Sequence, residues 1–439
     1  MRAAIHALFI VLALSACVVS QETAVPPGEA PKEAVAPKPF PALEAEAVLS
    51  KGFQAIWEFS LEEIDVASFA LEGAKGLGSI DPNLVAARQT GQFQLRLGDE
   101  TVFSASLPKV GDPRGWARLI IEGLMAARSR SAPLSEAGAE DVYQAVFDAA
   151  LARFDLHSRY AGSEESKRQK AKRDGQTEDG ARLPPTVGMN LGDQIAHIQI
   201  VGFNQQTAAS LEAKLREAMN LYDRQLKGVV LDLRGNPGGL LEQAVRSADL
   251  FLGAGRIVAA RGRHPVSSVN HEAIDGELVS GVPLVVLVDG RTASGGEVLA
   301  AALQDRGRAV IVGSTTFGKG LVQTVIELPN GAEINLSWSR LHAPSGYALQ
   351  GLGVLPNVCT SLTGKDKSMS GASEVLAAEF AQWRTVGIGN AQARARLRTL
   401  CPPESPDGRA EAVALGLLSD RSLYAKALAP TGAYLGVKP

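Results

Sequence analysis

The chain has 439 residues, of which 45% are hydrophobic and 21% are charged, and its formal net charge is −3. These proportions are ordinary for a globular protein, and the length allows two or three domains. The near-neutral charge excludes a strongly basic nucleic-acid surface, so no nucleic acid is expected as a partner.

The first 17 residues have the pattern of a secretory signal peptide. Arg2 supplies a positive charge, and an apolar run that is too short to span a bilayer follows from Ala3 to Leu14. The run ends in Leu14-Ser15-Ala16-Cys17, which resembles a bacterial lipobox. This resemblance predicts cleavage before Cys17 and lipidation of that cysteine. The alternative is a plain signal peptide in which the cysteine is incidental.

A lipidated leader predicts a protein of the bacterial cell envelope, held on the periplasmic side of a membrane by its lipid. Residues 18–41 contain six prolines and many alanines, a composition typical of an extended tether. In an oxidising compartment the two remaining cysteines, Cys359 and Cys401, predict one disulfide. Two free, buried thiols are the alternative.

Residues 42–160 are predicted to form an N-terminal helical domain. Apolar side chains recur there at the helical spacing of three or four residues in three stretches. They are Val48, Phe53, Ile56 and Trp57, then Leu119, Ile120, Leu124 and Met125, and finally Val142, Val146, Ala149 and Ala150. Residues 93–97 alternate in polarity and predict one short strand inside this domain.

Residues 161–186 carry many charges of both signs and few apolar side chains. Such a segment cannot bury a core of its own. The sequence therefore predicts a solvated, charged linker that begins with a helical turn or two.

From residue 187 to 360 the pattern becomes that of an α/β core in a mixed, α+β protein. Continuous apolar stretches predict buried strands that alternate with helices, so the sheet should be covered on both faces. The predicted strands are 195–200, 228–233, 284–288 and 309–312, with a β pair at 321–328 and 333–341, and the predicted helices are 208–222, 240–251 and 297–303. Residues 361–439 are predicted to be a helical C-terminal region, with helices at 372–383 and 409–418.

Two glycine-rich turns follow two of the predicted buried strands. The first runs from Asp232 to Gly239, and the second runs from Asp289 to Glu297 and contains Ser294. In open α/β sheets, sites form at the carboxyl ends of strands. A serine that opens a helix there projects its hydroxyl into a crevice beside free backbone N–H groups, as acyl transfer requires. Ser294 is therefore a candidate nucleophile.

A serine hydroxyl needs a base, and Lys319 is the candidate. It lies between two glycines, a few residues after the predicted strand 309–312. Burial at this place disfavours the charged ammonium, and the neutral amine can take the serine proton. Gln323 follows four residues later and could orient the amine.

The spacing of Ser294, Lys319 and Gln323 resembles that of the C-terminal (tail-specific) processing proteases, peptidase family S41. The residues 155–160, Asp-Leu-His-Ser-Arg-Tyr, are similar to the family's Asp-Pro-His-Ser-x-Tyr, with Leu156 in place of proline. Further segments that match the family are Leu231–Gly239, Thr292–Ser294, Thr316–Gly320 and Gly351–Asn357.

This resemblance implies a βαβ core similar to that of ClpP and the crotonases, and a serine endopeptidase with a Ser–Lys dyad. Ser294 would attack the peptide carbonyl, Lys319 would act as general base and then as general acid, and Gln323 would position Lys319. Substrates would be proteins or peptides of the cell envelope, and no cofactor is implied.

The resemblance also implies an oxyanion hole made of backbone N–H groups. One would come from Gly295, and the other from the first turn, with Gly239 preferred over Gly238.

One departure from the family concerns its PDZ domain, which usually precedes the strand at 195–200 and captures peptide C-termini. The segment 161–186 is too short for a separate domain, which needs at least about 50 residues. The sequence therefore predicts that PDZ gating is lost or that an adaptor protein supplies it. The N-terminal helical domain is the expected docking place for such an adaptor.

Two other functions remain open on the sequence alone. The chain could be a catalytically silent binding or scaffold lipoprotein on the same fold, as in retinoid-binding relatives. The turn around Ser294 also resembles the nucleophile elbow of α/β-hydrolases, for which Asp305 and His342 would complete a triad.

A second serine and lysine pair is also present. Ser106 and Lys109 match a Ser-x-x-Lys pattern, although Pro108 opposes the helical turn that this pattern needs. His157 and His197 are expected to be structural, because the histidines show no metal-ligand spacing.

Overall fold

The computed structural model describes residues 39–274, 276–361, 379–403 and 409–432. The predicted signal peptide, Cys17 and nearly all of the tether lie outside the described residues, as do residues 372–378 of the predicted C-terminal helix. Within the described ranges, no helix combines the length and the apolar character that a membrane crossing needs.

The N-terminal region is built from helices and a small antiparallel sheet. Its elements are α1 (Ala42–Phe59), α2 (Val66–Gly76), β1 (Leu84–Gln89), β2 (Gln92–Leu97), β3 (Glu100–Ser106), α3 (Pro113–Arg128), α4 (Ala132–Glu136) and α5 (Ala139–Phe154). The predicted strand is β2, but it pairs with β1 and β3, which the sequence analysis missed. The two residues between β1 and β2, Thr90 and Gly91, both have positive φ, and such two-residue turns close tight hairpins.

Most of the predicted apolar helix faces in this region are buried. Val48, Phe53 and Ile56 are at most 1% exposed. Trp57 and Met125 were expected on these faces but are 38% and 40% exposed. They lie at the margins of the apolar stripes, where a large side chain is only half covered.

The core follows in the next part of the chain. Its elements are β4 (Arg159–Ala161), α6 (Ser163–Arg173), β5 (Val187–Gly192), β6 (Ile195–Ile200), α7 (Thr207–Leu221), β7 (Gly228–Asp232), α8 (Leu241–Asp249), β8 (Gly255–Arg261), β9 (Val269–Ala273), β10 (Leu284–Val288), α9 (Gly295–Asp305), β11 (Val310–Gly313), β12 (Leu321–Glu327), β13 (Glu333–His342) and β14 (Val358–Cys359). The C-terminal helices are α10 (379–385 within the described residues), α11 (Ala391–Arg398), α12 (Arg409–Ser419) and α13 (Arg421–Gly432).

The main sheet has the strand order β14-β11-β10-β7-β6-β5. Its strands are parallel, except that β5 runs antiparallel to β6. Helices α7, α8 and α9 pack on one face, and α12 and α13 on the other. Every residue of β7, β10 and β11 is consequently buried, which confirms the predicted α/β core with two covered faces.

A second, antiparallel sheet joins the core to the N-terminal region. Its order is β12-β13-β8-β9, and β4 pairs with β13. Ile334 and Leu336 on β13 belong to the same apolar cluster as Phe53 and Phe147 of the N-terminal helices. The two regions therefore share one hydrophobic interface.

The charged segment 161–186 is more ordered than the expected solvated linker. It contains the three turns of α6, whose Ser166 is buried and donates to the Ala161 carbonyl over 2.8 Å. Arg173 forms an ion pair of 2.9 Å with the buried Glu333. Apolar periodicity could not predict this helix, because acidic residues in its first turn and basic residues in its last stabilise it through the helix dipole.

Candidate active site

The two glycine-rich turns lie side by side because they follow β7 and β10, which are adjacent parallel strands. Asp289 Oδ1 in the second turn accepts the N–H of Gly235 in the first turn over 2.9 Å. The Ala293 N–H donates to the Asn236 carbonyl, also over 2.9 Å. These cross-links fix the relative position of the two turns.

Ser294 lies at the junction between the second turn and α9, which begins at Gly295. Its backbone has φ of 51° and ψ of −114°, a conformation that costs a non-glycine residue about 1–3 kcal/mol. A Cβ atom on Gly238 would lie only 2.7 Å from Ser294 Cβ and 2.9 Å from the Gly295 nitrogen. Glycine at 238 therefore lets the first turn approach the serine closely.

The backbone N–H groups near Ser294 divide into used and free donors. The Gly238 N–H donates to Asn236 Oδ1 over 2.8 Å. The N–H groups of Gly239 and Gly295, by contrast, have no hydrogen-bond acceptor within the described chain. Of the two glycines considered in the first turn, Gly239 is thus the one whose backbone N–H can donate to a ligand.

Glu297 connects the serine to the lysine. Its side chain is fully buried, and its Oε2 accepts the backbone N–H groups of both Ser294 and Lys319 over 2.9 Å. Its Oε1 accepts the Gly318 N–H over 2.7 Å and the Thr316 hydroxyl over 2.5 Å. One carboxylate thereby holds the Ser294 turn and the Lys319 loop together.

Burial and four hydrogen bonds act on the pKa of Glu297 in opposite directions. Burial raises it, and the hydrogen bonds from Thr316, Gly318, Ser294 and Lys319 oppose that shift. Three of these partners are backbone N–H groups, which can only donate. The ionised carboxylate, whose two oxygens both accept, therefore satisfies all four partners as they are arranged here.

The role of Glu297 was not predicted from the sequence, although a signal was present. Ser294 and Glu297 form the S-x-x-E pattern of a capping box, in which the glutamate bonds back to the first residue of the motif. The pattern predicts the bond to the Ser294 N–H. It does not predict the bonds to Gly318 and Lys319, which need the tertiary structure.

Lys319 and Ser294 are both partly buried, and no hydrogen bond joins their side chains among the described residues. Such bonds are often long in a free enzyme and shorten when substrate binds. Gln323 does not bond to Lys319 either. Its Nε2 donates to the His157 carbonyl over 2.6 Å. This contact fixes the amide and leaves Oε1 as its remaining acceptor.

The segment 155–160 has a structural role next to Gln323. Asp155 accepts the Ser158 hydroxyl and, over 2.9 Å, the His157 N–H. Ser158 Oγ in turn accepts the Ser337 N–H of β13 over 2.9 Å. The segment thus attaches the N-terminal region to the β12–β13 hairpin and presents the His157 carbonyl to Gln323. Leu156, which replaces the proline of the family motif, is 90% exposed and takes no part in these bonds.

The role that the family resemblance implies for Gln323, orientation of Lys319, predicts that Gln323→Ala slows peptide cleavage by about 10-fold to 100-fold, since an orienting residue takes no part in bond making. The measurement is kcat/KM on one peptide. Gln225→Ala, a change in the loop before β7, is the control. A Gln323→Ala variant that cleaves at the wild-type rate would contradict this role.

The first turn is further supported by a buried ion pair. Arg234 contacts the Asp232 carboxylate over 2.6 and 2.9 Å, and His197 lies 3.6 Å from the same group. Burial alone would raise the pKa of Asp232, but the nearby His197 and the hydrogen bonds from Arg234 lower it to about 2. His197 therefore has a structural partner.

The structure places the alternative residues away from Ser294. Asp305 is at the opposite end of α9, about 15 Å away by helix rise, where it pairs with the buried Arg384. His342 Nδ1 contacts the Arg340 carbonyl, and among the described residues no hydrogen bond joins His342 to Asp305 or to Ser294. Ser106 ends the strand β3, and hence no helical turn links it to Lys109.

The cysteine pair lies behind the Lys319 loop. Cys359 on β14 and Cys401 after α11 are joined by a disulfide, with their Cα atoms 5.8 Å apart. The Cys401 carbonyl accepts the Thr315 N–H over 3.3 Å. The disulfide therefore ties the end of α11 to the loop that leads to Lys319.

The fold and this geometry are those of a serine acyl-transfer site, with a strained serine at a helix N-terminus beside free N–H donors. Residues 194–360 match the family model of peptidase family S41. The match covers most of the α/β core of this chain.

Two curated proteins are similar to part of the chain. A carboxy-terminal-processing protease of Bartonella bacilliformis is 40% identical over 165 residues, which are 37% of this chain and 38% of that protein. A chloroplastic C-terminal processing peptidase of Tetradesmus obliquus is 34% identical over 204 residues, which are 46% of this chain and 42% of that protein. The chain thus spans about two fifths of the length of each relative.

A solved structure of a photosystem II D1 C-terminal processing protease is also similar. It has a TM-score of 0.37 and 30% sequence identity, over 46% of this chain and 54% of that one.

Proposed function

We propose that this protein is a serine endopeptidase that hydrolyses peptide bonds through a Ser294–Lys319 dyad. The observation that carries the proposal is the Glu297 carboxylate, which binds the backbone N–H groups of both residues. Two residues far apart in sequence are held by one buried group, as a nucleophile and its base require.

In the proposed reaction, Ser294 Oγ attacks the carbonyl carbon of the scissile bond while the neutral Lys319 amine takes the hydroxyl proton. The negative charge that develops on the carbonyl oxygen is stabilised by the free N–H groups of Gly239 and Gly295. Lys319 then gives its proton to the leaving amine, which leaves an acyl ester on Ser294. A water molecule, deprotonated by Lys319, hydrolyses that ester and restores the serine.

Gln323 completes the proposed arrangement. Its amide nitrogen is fixed by the His157 carbonyl, so its oxygen is oriented and can accept a hydrogen bond from the Lys319 amine. The segment 155–160 therefore assists catalysis through Gln323 and touches no reacting atom.

The direct test is labelling with a fluorophosphonate, together with cleavage of casein. The expected result is one label per chain on Ser294 and loss of casein cleavage in the labelled protein. A protein that takes no label and cleaves no casein would instead be the catalytically silent scaffold.

We further propose that the protein works in the cell envelope, attached on the periplasmic side through a lipid on Cys17. The lipobox-like residues before Cys17 support this, and so does a disulfide of the kind that persists in oxidising compartments. Cys17→Ala is expected to give an unlipidated protein in the soluble fraction. Membrane fractionation with the wild type as control checks this, and a variant that stays wholly with membranes would contradict it.

The segment between β4 and β5 bears on substrate specificity, because the family's PDZ domain usually lies in this part of the chain. It holds α6 and a turn in which Gln176 pairs with Arg182. We propose that the enzyme does not distinguish a free C-terminal carboxylate by a surface in this interval, and that an adaptor on the N-terminal region supplies any such selection.

Peptides with free and amidated C-termini are accordingly expected to be cleaved at rates that differ by less than about tenfold, or roughly 1.4 kcal/mol. The measurement is kcat/KM on one sequence in both forms, with purified protein. A larger preference for the carboxylate would show that the chain itself recognises substrate tails.

A further inference from the structure

Arg398 contacts the Lys319 loop from outside the region that matches the peptidase family. It is the last residue of α11, whereas the match ends at residue 360. Its Nη1 donates to the Leu352 carbonyl over 2.6 Å. A Cβ atom on Gly318 would lie 3.3 Å from this nitrogen, and one on Gly353 would lie 3.2 Å from it. The guanidinium thus lies directly against the residue before Lys319.

Gly318 is one of the residues that Glu297 holds. Its N–H donates to Glu297 Oε1 over 2.7 Å, and its carbonyl accepts the Gly351 N–H over 2.8 Å. Arg398 bonds to Leu352, the residue that follows Gly351. The stretch before Lys319 is therefore in contact with both the buried carboxylate of Glu297 and the cation of Arg398.

The two charges also act on each other. Burial lowers the pKa of Arg398, and the negative charge of Glu297 opposes that shift. Other titratable groups that face Glu297 include Lys319, through its backbone, and Tyr347. Because burial raises the pKa of the Tyr347 hydroxyl well above its usual value, that group stays neutral and cannot balance the carboxylate.

We propose that Arg398 is a positioning residue for the Ser294–Lys319 dyad. It holds Gly318 in place and supplies a fixed positive charge that favours the ionised form of Glu297, the carboxylate that binds both members of the dyad. This inference rests on the proposed function and assigns a catalytic contribution to the C-terminal helical region.

The C-terminal segment is built to hold Arg398 in this position. Arg394, one turn earlier in α11, donates to the carbonyls of Ala348 and Gln350 over 2.7 and 2.5 Å. Three residues after Arg398, Cys401 is tied to Cys359 by the disulfide. The chain on either side of Arg398 is therefore attached to the core.

The test compares Arg398→Met, which removes the positive charge, with Arg398→Lys, which keeps the charge but lacks the planar guanidinium and its several N–H donors. Arg396→Met on the exposed face of α11 is the matched control. For Arg398→Met we expect kcat to fall by about 10-fold to 100-fold with little change in KM, because the dyad is misplaced while peptide binding is retained. Fluorophosphonate labelling of Ser294 should slow in parallel.

The pH profile separates positioning from a merely structural role. Loss of the cation disfavours ionised Glu297, so the acid limb of activity should move to higher pH in Arg398→Met. It should move less in Arg398→Lys, and not at all in Arg396→Met. The thermal midpoint of each variant is measured in parallel, and Arg398→Lys serves if Arg398→Met does not fold.

Either of two results would overturn this inference while leaving the proposed function intact. One is an Arg398→Met enzyme with wild-type kcat, and the other is a fall in activity with an unmoved acid limb in both variants. A wild-type protein that neither labels nor cleaves would overturn the proposed function and this inference together.

Discussion

Replacing Ser294 by alanine, or Lys319 by alanine, is expected to abolish peptide cleavage while the protein still folds. Without the Ser294 hydroxyl no acyl ester forms, and without the Lys319 amine no group at this place takes the serine proton. Because members of such a unit act together, the double variant should be no slower than either single one. The measurement is the rate of cleavage of one peptide under single-turnover conditions.

The structure favours retention of the fold in both variants. The backbone N–H groups of residues 294 and 319 donate to Glu297, and alanine keeps both N–H groups. Ser210→Ala and Lys214→Ala are matched controls, because both residues lie within α7, outside the two glycine-rich turns. Cleavage above about 1% of the wild-type rate in Ser294→Ala or Lys319→Ala, in protein with an unchanged thermal midpoint, would refute the dyad.

The parts of the fold that were predicted correctly are those with strong local signals. Strands β6, β7 and β10 are continuous apolar runs, and the predicted bounds agree with the structure to within one residue. Strand β9 was missed because it is half exposed and its apolar pattern is mixed. Strand β8 was also missed, although its residues 257–260 form a buried apolar run. Helix α6 was missed as a full helix because charges, not apolar spacing, stabilise it.

The residues of the candidate site likewise divide into those that the sequence indicates and those that need the structure. Ser294, Lys319 and Gln323 could be selected from the sequence, since each lies in or near a recognisable turn or strand and their spacing can be read from the chain. The contributions of Glu297 and His157 could not, because each depends on a backbone contact made across the fold. Gln323 shows the difference clearly: it was selected for its spacing from Lys319, but among the described residues its Nε2 donates to the His157 carbonyl and no hydrogen bond joins it to Lys319.

Substitution of Glu297 is expected to reduce activity nearly as much as substitution of Ser294 or Lys319. In Glu297→Gln, one oxygen of the carboxylate is replaced by an NH₂ group, which must then face two donors at a fully buried position. An N–H that faces another donor loses its hydrogen bond, and each buried unsatisfied group costs about 1–3 kcal/mol. We expect the two loops to separate slightly and kcat/KM to fall by about 100-fold, as a displacement of 1 Å can cause.

The pH dependence of wild-type activity provides an independent measurement of the same group. Because folding raises the pKa of Glu297 above its usual 4.5, this carboxyl takes up a proton on acidification before an ordinary glutamate does. The added proton occupies a carboxylate that accepts hydrogen bonds from both the Ser294 turn and the Lys319 loop. Activity should therefore begin to fall at a pH above 4.5.

The sign of the stability effect is opposite to that of the activity effect. A carboxyl with a raised pKa in the folded state stabilises the fold in its protonated form, and this contribution is lost as the pH rises through the folded pKa. Acidification through this range should therefore lower activity, while the Glu297 contribution to the free energy of unfolding increases. Paired measurements of kcat/KM and of the thermal midpoint against pH test this, with Glu242→Gln on the exposed face of α8 as control. A loss of activity that simply follows acid unfolding, or a Glu297→Gln enzyme with wild-type activity, would show that Glu297 does not hold the dyad together.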